Sequence, residues 1–258
     1  MKLYEYGMIN PTTLLFFASC ILEPYWAYQE SIAILAQRYH VYVMVPDGHD
    51  VDTKEDFTSI EKNIKELVKE LNRRNIQHFD VAYGLSMGGS MLLHLVTTAT
   101  ISMNHIIIDA GITPYAYPKW ICKVILWKDV FLATIIKNNR WLVERLFPPS
   151  RYTVKGHDAK EEYDRLMQFF KTYSQTTLKN AFYSANNYYL PKKAPYTDSK
   201  IIYWYGELER KQRKKDIAFI KHYLPQCKCK QIDGYNHGEL MFAHPKEFYN
   251  HVQAFLTI

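Results

Sequence analysis

The stretch "VAYGLSMGGSML", residues 81–92, decides the fold. It contains the pattern Gly-x-Ser-x-Gly, from Gly84 to Gly88, between an apolar run that predicts a strand and a segment that predicts a helix. A serine at the apex of such a tight turn must adopt a strained backbone, and the flanking glycines leave room for it. The pattern predicts an activated nucleophile at Ser86, and a glycine-rich turn with a purely structural serine is the alternative.

Strand and helix patterns alternate on both sides of this turn. The helix pattern is clearest at residues 58–75, where Thr58 and Glu61 have the spacing of a capping box. Such alternation predicts an α/β fold with a mainly parallel sheet. The apolar runs predict strands at 13–19, 40–47, 79–86, 105–111, 200–207 and 227–234, and the amphipathic patterns predict helices at 28–39, 58–75, 87–99, 213–224 and 245–256.

The alternation stops near Gly111. From there to about Leu190 the chain is helical in pattern, aromatic and basic, and contains no convincing strand. We therefore predict a doubly wound core domain made of residues 1–111 and 191–258. Residues 112–190 are predicted to form a helical cap inserted into that core.

Composition is that of a soluble globular protein. Of the 258 residues, 48% are hydrophobic and 22% are charged, which suffices for a sizeable core. No uninterrupted apolar run approaches the ~20 residues of a membrane helix. The net charge of +6 is concentrated in residues 111–200, which carry 15 Lys and Arg against 7 Asp and Glu. Because no basic run follows a nucleic-acid-binding pattern, we predict no nucleic-acid partner. The basic segment serves solubility or attracts an anionic ligand or surface.

The four cysteines form neither a metal-binding pattern nor a disulfide framework. They are Cys20, Cys122, Cys227 and Cys229. Their spacing predicts buried thiols in a reducing cytoplasm, and no metal site.

A serine nucleophile needs a base, and the base needs a carboxylate to orient it. Of the ten histidines, His237 lies in a glycine-bounded loop between the last predicted strand and the last helix. Loops at the carboxyl ends of parallel strands gather the site of a doubly wound sheet. The candidate acid is Glu209, just past the strand that begins near Ile201, and the alternatives are Asp109 and Glu207. The backbone N–H of Met87, at a helix N-terminus, is suited to bind an oxyanion.

These motifs together resemble the α/β-hydrolase superfamily over essentially the whole chain, and most closely its small-cap esterase and thioesterase-like members. The resemblance rests on "GLSMGG", on Gly206-Glu207-Leu208-Glu209 and on Gly234-Tyr235-Asn236-His237. One departure is Ala18-Ser19-Cys20, which stands where family members commonly carry His-Gly. The loop there supplies the second oxyanion N–H in the family, and the resemblance implies Cys20 for this role, with Ser19 second.

The resemblance implies a serine hydrolase that cleaves a carboxylic ester or thioester of a small, largely apolar acyl or aryl substrate. No cofactor or metal is implied. An acyltransferase, a carbon–carbon bond hydrolase and a non-catalytic ligand-binding homologue are the alternatives on the same fold. The oligomeric state is left open.

Four letters near the amino end, Phe17-Ala18-Ser19-Cys20, match the cleavage box of a bacterial lipoprotein signal. The apolar run before the box, Leu14 to Phe17, is shorter than the ~7–15 residues of a signal core. Cleavage there would also remove a core strand. We therefore predict a buried strand that leads into the oxyanion loop, and no stable membrane anchor.

Overall fold

A single sheet runs through the residues that the computed structural model describes, which are 1–50, 55–115 and 117–257. Within these ranges, seven strands pair in the order β1-β3-β2-β4-β5-β6-β7. All neighbouring strands are parallel except β1 and β3. The predicted mainly parallel α/β fold is confirmed. The strands are β1 (Lys2–Tyr6), β2 (Thr13–Phe17), β3 (His40–Val45), β4 (His78–Leu85), β5 (Ser102–Asp109), β6 (Lys200–Gly206) and β7 (Lys228–Ile232).

Helices cover both faces of this sheet, because the central strands are apolar on both sides. In β2, Leu15 and Phe17 face one apolar cluster while Leu14 and Phe16 face the other, as the two-residue period of a strand requires. The first cluster is closed by helices α2 (Ile60–Arg73), α3 (Met87–Thr98) and α9 (Lys214–Tyr223), and the second by α1 (Gln29–Leu35) and α11 (Pro245–Leu256). The core therefore lies in two layers, one on each side of the sheet.

Strand β1 was not predicted from the sequence. It pairs antiparallel with β3 at the edge of the sheet, with Lys2 opposite Val45 and Tyr6 opposite Val41. Its sequence, KLYEY, is short and half polar, and every residue in it is only partly buried. An edge strand buries less apolar surface than a central one, so it lacks the apolar run by which the other strands are recognised.

The capping box expected at α2 is wrong by one residue. The N-cap is Ser59, whose hydroxyl accepts the Lys62 N–H at 3.1 Å, and Thr58 lies outside the helix. Glu61 does not close a box, because its Oε1 accepts the N–H of Tyr189 at 2.9 Å. Both hydroxyls suit an N-cap, and the start at Ser59 buries Ile60 together with the rest of the predicted apolar stripe.

Five α-helices lie between β5 and β6 in the described chain, and we call them the α4–α8 segment. Four of the five contribute to an apolar cluster of their own, separate from the two beside the sheet. None of the described helices combines the length and the apolarity needed to cross a bilayer. The helices of the segment are α4 (Lys119–Lys137), α5 (Arg140–Leu146), α6 (Pro149–Tyr152), α7 (Ala159–Thr172) and α8 (Gln175–Asn187), and a short α10 (Glu239–Ala243) precedes α11.

Candidate active site

Ser86 stands alone between the end of β4 and the start of α3. Its φ of 55° and ψ of −119° lie outside the regions that ordinary residues adopt. The turn is fixed by two backbone hydrogen bonds, from Ser86 N–H to the Asp109 carbonyl at 2.8 Å and from Gly88 N–H to the Ser19 carbonyl at 2.6 Å. A Cβ on Gly84 would lie 2.3 Å from the Gly88 carbonyl oxygen, so no other residue fits there. The turn therefore combines a strained serine with glycines that the strain requires.

His237 is bonded to a buried carboxylate. Its Nδ1 lies 2.8 Å from Oε2 of Glu209, whose side chain is only 4% exposed. Glu209 belongs to a 3₁₀ turn that follows β6 directly. Its other oxygen accepts the Gly206 N–H at 3.1 Å, and Arg213 Nε lies 3.4 Å from Oε2. With both oxygens occupied, the carboxylate is held against one imidazole nitrogen, Nδ1, and Nε2 of His237 is not bonded to Glu209.

The two alternative acids are engaged elsewhere. Asp109 accepts the Tyr83 hydroxyl at 2.8 Å. Glu207 accepts the N–H of Gly234 at 2.9 Å at the surface of the histidine loop. Burial raises the pKa of Asp109 to about 7. Neither residue is hydrogen-bonded to His237, so the geometry brings Glu209 alone among the three to the imidazole.

Three loops meet at the carboxyl edge of the sheet. Gly238 packs against the end of β4, since a Cβ there would lie 3.0 Å from Cδ2 of Leu85. His237 and Ser86 are the chain neighbours of these two residues. The Cys20 side chain, from the loop after β2, lies beside the His237 ring. Edges of this kind, where strands of a parallel sheet end, are the usual place for a site.

Charge at this site favours an imidazolium held by a carboxylate. Burial lowers the pKa of His237, but the Glu209 carboxylate and the Cys20 side chain raise it by more, so that it lies well above its ordinary value. Burial likewise acts to raise the pKa of Glu209, but the charges of His237 and Arg213 outweigh it and lower that pKa. The pair therefore stabilises a proton on the imidazole.

Backbone N–H groups that could bind an oxyanion occur at the start of α3 and in the loop after β2. Met87 is the first residue of α3, where helical N–H groups have no partner within the helix. Ser19 N–H donates to the Phe17 carbonyl at 3.0 Å, which leaves Cys20 as the candidate in the other loop. The Cys20 backbone and side chain lie next to the hydroxyl of Tyr28, which is fully buried. Sequence reasoning missed Tyr28, because its position in a 3₁₀ turn carries no motif.

A cavity of about 160 Å³ lies between the loop after β2 and the α4–α8 segment. Three carboxylates line it, and burial raises the pKa of one of them, that of partly buried Glu23, to about 7. Sequence reasoning missed Glu23 as well, since an acid in an unpatterned loop gives no signal. Most of the lining is apolar or aromatic and includes Leu22, Trp26, Phe147, Tyr163, Phe170 and Phe242.

The α4–α8 segment is bonded directly to the histidine loop. The Tyr152 hydroxyl, at the end of α6, donates to the His237 carbonyl at 3.0 Å. The neighbouring Arg151 guanidinium donates to Glu239 Oε2 and to the Gly234 carbonyl, each at 2.7 Å. These bonds fix both ends of the loop that carries His237.

Comparison with known proteins shows the fold. No protein-family model matches the chain, and no curated protein matches it in sequence. Solved structures do match across nearly its whole length. A carboxylesterase of Nitrososphaera gargenis has a TM-score of 0.71 at 17% identity, covering 99% of this chain and 93% of its own. An α/β-hydrolase family protein of Desulfitobacterium hafniense has a TM-score of 0.69 at 18% identity, with 99% and 100% covered.

MenH from S. aureus is similar to the same degree, with a TM-score of 0.69 at 17% identity over 99% of this chain and 97% of its own. At these identities, the similarity supports a shared backbone fold but does not establish a shared reaction. The chain has the α/β-hydrolase fold, as its motifs predicted.

Proposed function

We propose that this protein is a serine hydrolase that cleaves a carboxylic ester or thioester of a small, largely apolar acyl or aryl substrate. The observation that carries the proposal is the His237–Glu209 pair at 2.8 Å, on a loop that packs against the strained Ser86 turn. A nucleophile, a base and an orienting acid on three loops at one sheet edge are the parts that acyl transfer requires.

The proposed reaction has two halves. Ser86 Oγ attacks the substrate carbonyl carbon while His237 Nε2 takes the hydroxyl proton, and the Glu209 carboxylate stabilises the resulting imidazolium. The tetrahedral intermediate collapses, and His237 returns the proton to the departing alcohol or thiol. Water then attacks the acyl-enzyme with His237 again as base, which releases the acid and restores Ser86.

The developing oxyanion is proposed to lie between the N–H groups of Met87 and Cys20. Each preorganised donor of this kind contributes roughly 100- to 1,000-fold to turnover.

We further propose that residues 112–190 act as a cap and that the cavity beneath them holds the acyl or aryl group. Drug-sized ligands occupy pockets of about 300–1,000 Å³. An apolar cavity of about 150 Å³ accommodates a benzene ring in another protein. The 160 Å³ space therefore suits a single ring or a short chain. The free cysteines suit a cytoplasmic setting.

An ester panel tests this substrate assignment. Among 4-nitrophenyl esters, we expect kcat/KM to be at least about tenfold higher for acetate, butyrate and benzoate than for dodecanoate, because a long chain exceeds the cavity. Val143→Phe, which places a ring on the cavity wall, is expected to lower benzoate cleavage more than acetate cleavage. A preference for dodecanoate would contradict the assignment.

Product analysis in the presence of a competing alcohol separates the alternatives. A hydrolase yields the free acid, whereas an acyltransferase yields the new ester. Turnover of a β-diketone with esters left intact would indicate carbon–carbon bond hydrolysis. A non-catalytic homologue would turn over none of these compounds, although a ligand would raise its melting temperature.

The activity is expected to rise with pH. His237 must be neutral to act as a base, and its pKa in the folded protein is raised. The pH profile of kcat/KM should therefore climb through an apparent pKa above the ordinary histidine value of about 6.5. Stability should move the opposite way: the contribution of the protonated imidazole is complete below about pH 6.5 and is lost as pH rises through the folded-state pKa.

Steady-state rates and thermal melts across the same buffers measure the two trends together. His237→Gln should remove the dependence of stability on pH that the imidazole causes. The matched control is His222→Gln, at an exposed position of α9. An activity that is greatest at acid pH would count against a neutral His237 as the base.

A further inference from the structure

Helix α4 carries an exposed apolar stripe, which we define as Trp120, Val124, Trp127 and Phe131. At about 100° per residue these four side chains fall within about 60° of one another. Trp120 is 69% exposed, Trp127 70% and Phe131 52%. The rings of Trp127 and Phe131 stack with centroids 5.6 Å apart. Single apolar residues are common on protein surfaces, but a continuous aromatic stripe indicates a surface that contacts something else.

The opposite side of α4 already holds the helix in place. Cys122 and Ala133 are buried there, and Ala133 belongs to the apolar cluster of the α4–α8 segment. Lys137 is also buried and donates to the Tyr173 carbonyl at 2.9 Å. The α4 stripe is therefore not needed to pack the helix, and its exposure is not the result of a missing core contact within the described chain.

Positive charge surrounds the stripe. Lys123 and Lys128 lie about 70° to either side of the centre of the stripe, and Lys119 precedes it. All three are exposed, and Lys128 pairs with Asp129 at 3.0 Å. Residues 119–146, which span α4 and α5, contain six Lys and Arg against two acidic residues. A second copy of this chain docked stripe to stripe would bring these lysines together, at an electrostatic cost. A negatively charged bilayer would attract them.

We propose that the α4 stripe docks reversibly on an anionic membrane surface, with the helix lying in the plane of the bilayer. Indole rings favour the headgroup region, and lysines beside them reach lipid phosphates. Ile136, on the inner side of the same helix, lines the 160 Å³ cavity. Docking therefore holds the cavity close to the lipid surface. The proposal does not depend on hydrolase activity. The α4 stripe does not include Ser86, and vesicle binding can be measured without any substrate.

Vesicle flotation with the full chain tests the docking. We expect at least about tenfold stronger partitioning onto vesicles of phosphatidylcholine with one-third phosphatidylglycerol than onto phosphatidylcholine alone, with a marked loss at high salt. Trp120→Ala/Trp127→Ala/Phe131→Ala should reduce that partitioning at least about tenfold. The matched control is Ile9→Ala/Tyr196→Ala, which removes apolar side chains that are 96% and 88% exposed elsewhere.

Three results would overturn the proposal. They are no binding of the unmodified chain to either vesicle, equal binding by the triple variant, and self-association in light scattering that the triple variant abolishes without any vesicle binding. Melting temperature and the rate on a water-soluble ester should be the same for all variants, since the stripe touches neither the core nor the site. These two readouts separate a docking defect from misfolding and from failure of the proposed function.

Discussion

Ser86→Ala is expected to lower kcat for ester cleavage by roughly a millionfold. Loss of the nucleophile in a serine hydrolase costs about this much, and the residual rate comes from the oxyanion donors and from binding. Covalent labelling by a fluorophosphonate should disappear in the intact mass spectrum. Because alanine keeps the backbone at φ 55° as strained as serine does, the melting temperature should change little.

Ser90→Ala is the matched control for this change. Ser90 is buried one turn further along α3, and its hydroxyl donates to the Ile112 carbonyl at 2.7 Å. Its removal should cost about 1 kcal/mol of stability and leave labelling intact. Undiminished labelling of Ser86→Ala would mean that another residue is the nucleophile.

Glu209→Gln is expected to lower kcat by roughly 10,000-fold. An amide of the same size keeps the packing but removes the charge that stabilises the imidazolium. Its NH₂ group can also face Nδ1, which favours the tautomer with the proton on Nε2 and blocks proton uptake from Ser86. The pKa of His237 should fall, because the carboxylate is a principal group raising it.

The rival acids supply the controls for this experiment. Glu207→Gln removes a surface charge but keeps an oxygen that can accept the Gly234 N–H, and Asp109→Asn changes the group that accepts the Tyr83 hydroxyl. Each variant should retain activity within about tenfold of the unmodified chain. The titration of His237, followed by NMR, should be unshifted in Glu207→Gln. If Asp109→Asn lowered kcat as much as Glu209→Gln does, the acid that orients His237 would have to be reassigned.

The sequence alone was sufficient for the six parallel strands and for proposing the three residues Ser86, Glu209 and His237 at their carboxyl edge. Gly-x-Ser-x-Gly between strand and helix patterns is local, and a parallel sheet gathers the following loops by topology, so Ser86, Glu209 and His237 could be proposed from chain order. The sequence favoured Glu209 over Glu207 and Asp109, and the coordinates add its bond to His237, because both glutamates follow β6 and only the turn decides which side chain points inward.

Other features could not be read from the chain. Glu23 lies in a stretch without periodicity, and Tyr28 begins a predicted helix without any motif that marks it. The tertiary fold alone brings Tyr28 to Cys20 and Glu23 to the cavity. Strand β1 is too polar to resemble a core strand. Ser59 and Thr58 are both good N-caps, and burial of Ile60 selects between them. In each case a long-range contact decides what local preference leaves open.

The bonds between α6 and the histidine loop have a mechanical consequence. Tyr152 and Arg151 attach the α4–α8 segment to the carbonyl of His237 and to the residues on either side of it. Any movement of α6 away from the loop that carries His237 must break these bonds or move the loop with it. The position of α6 and the orientation of the His237 imidazole are therefore coupled. All three bonds hold the loop of His237 only while α6 stays against it.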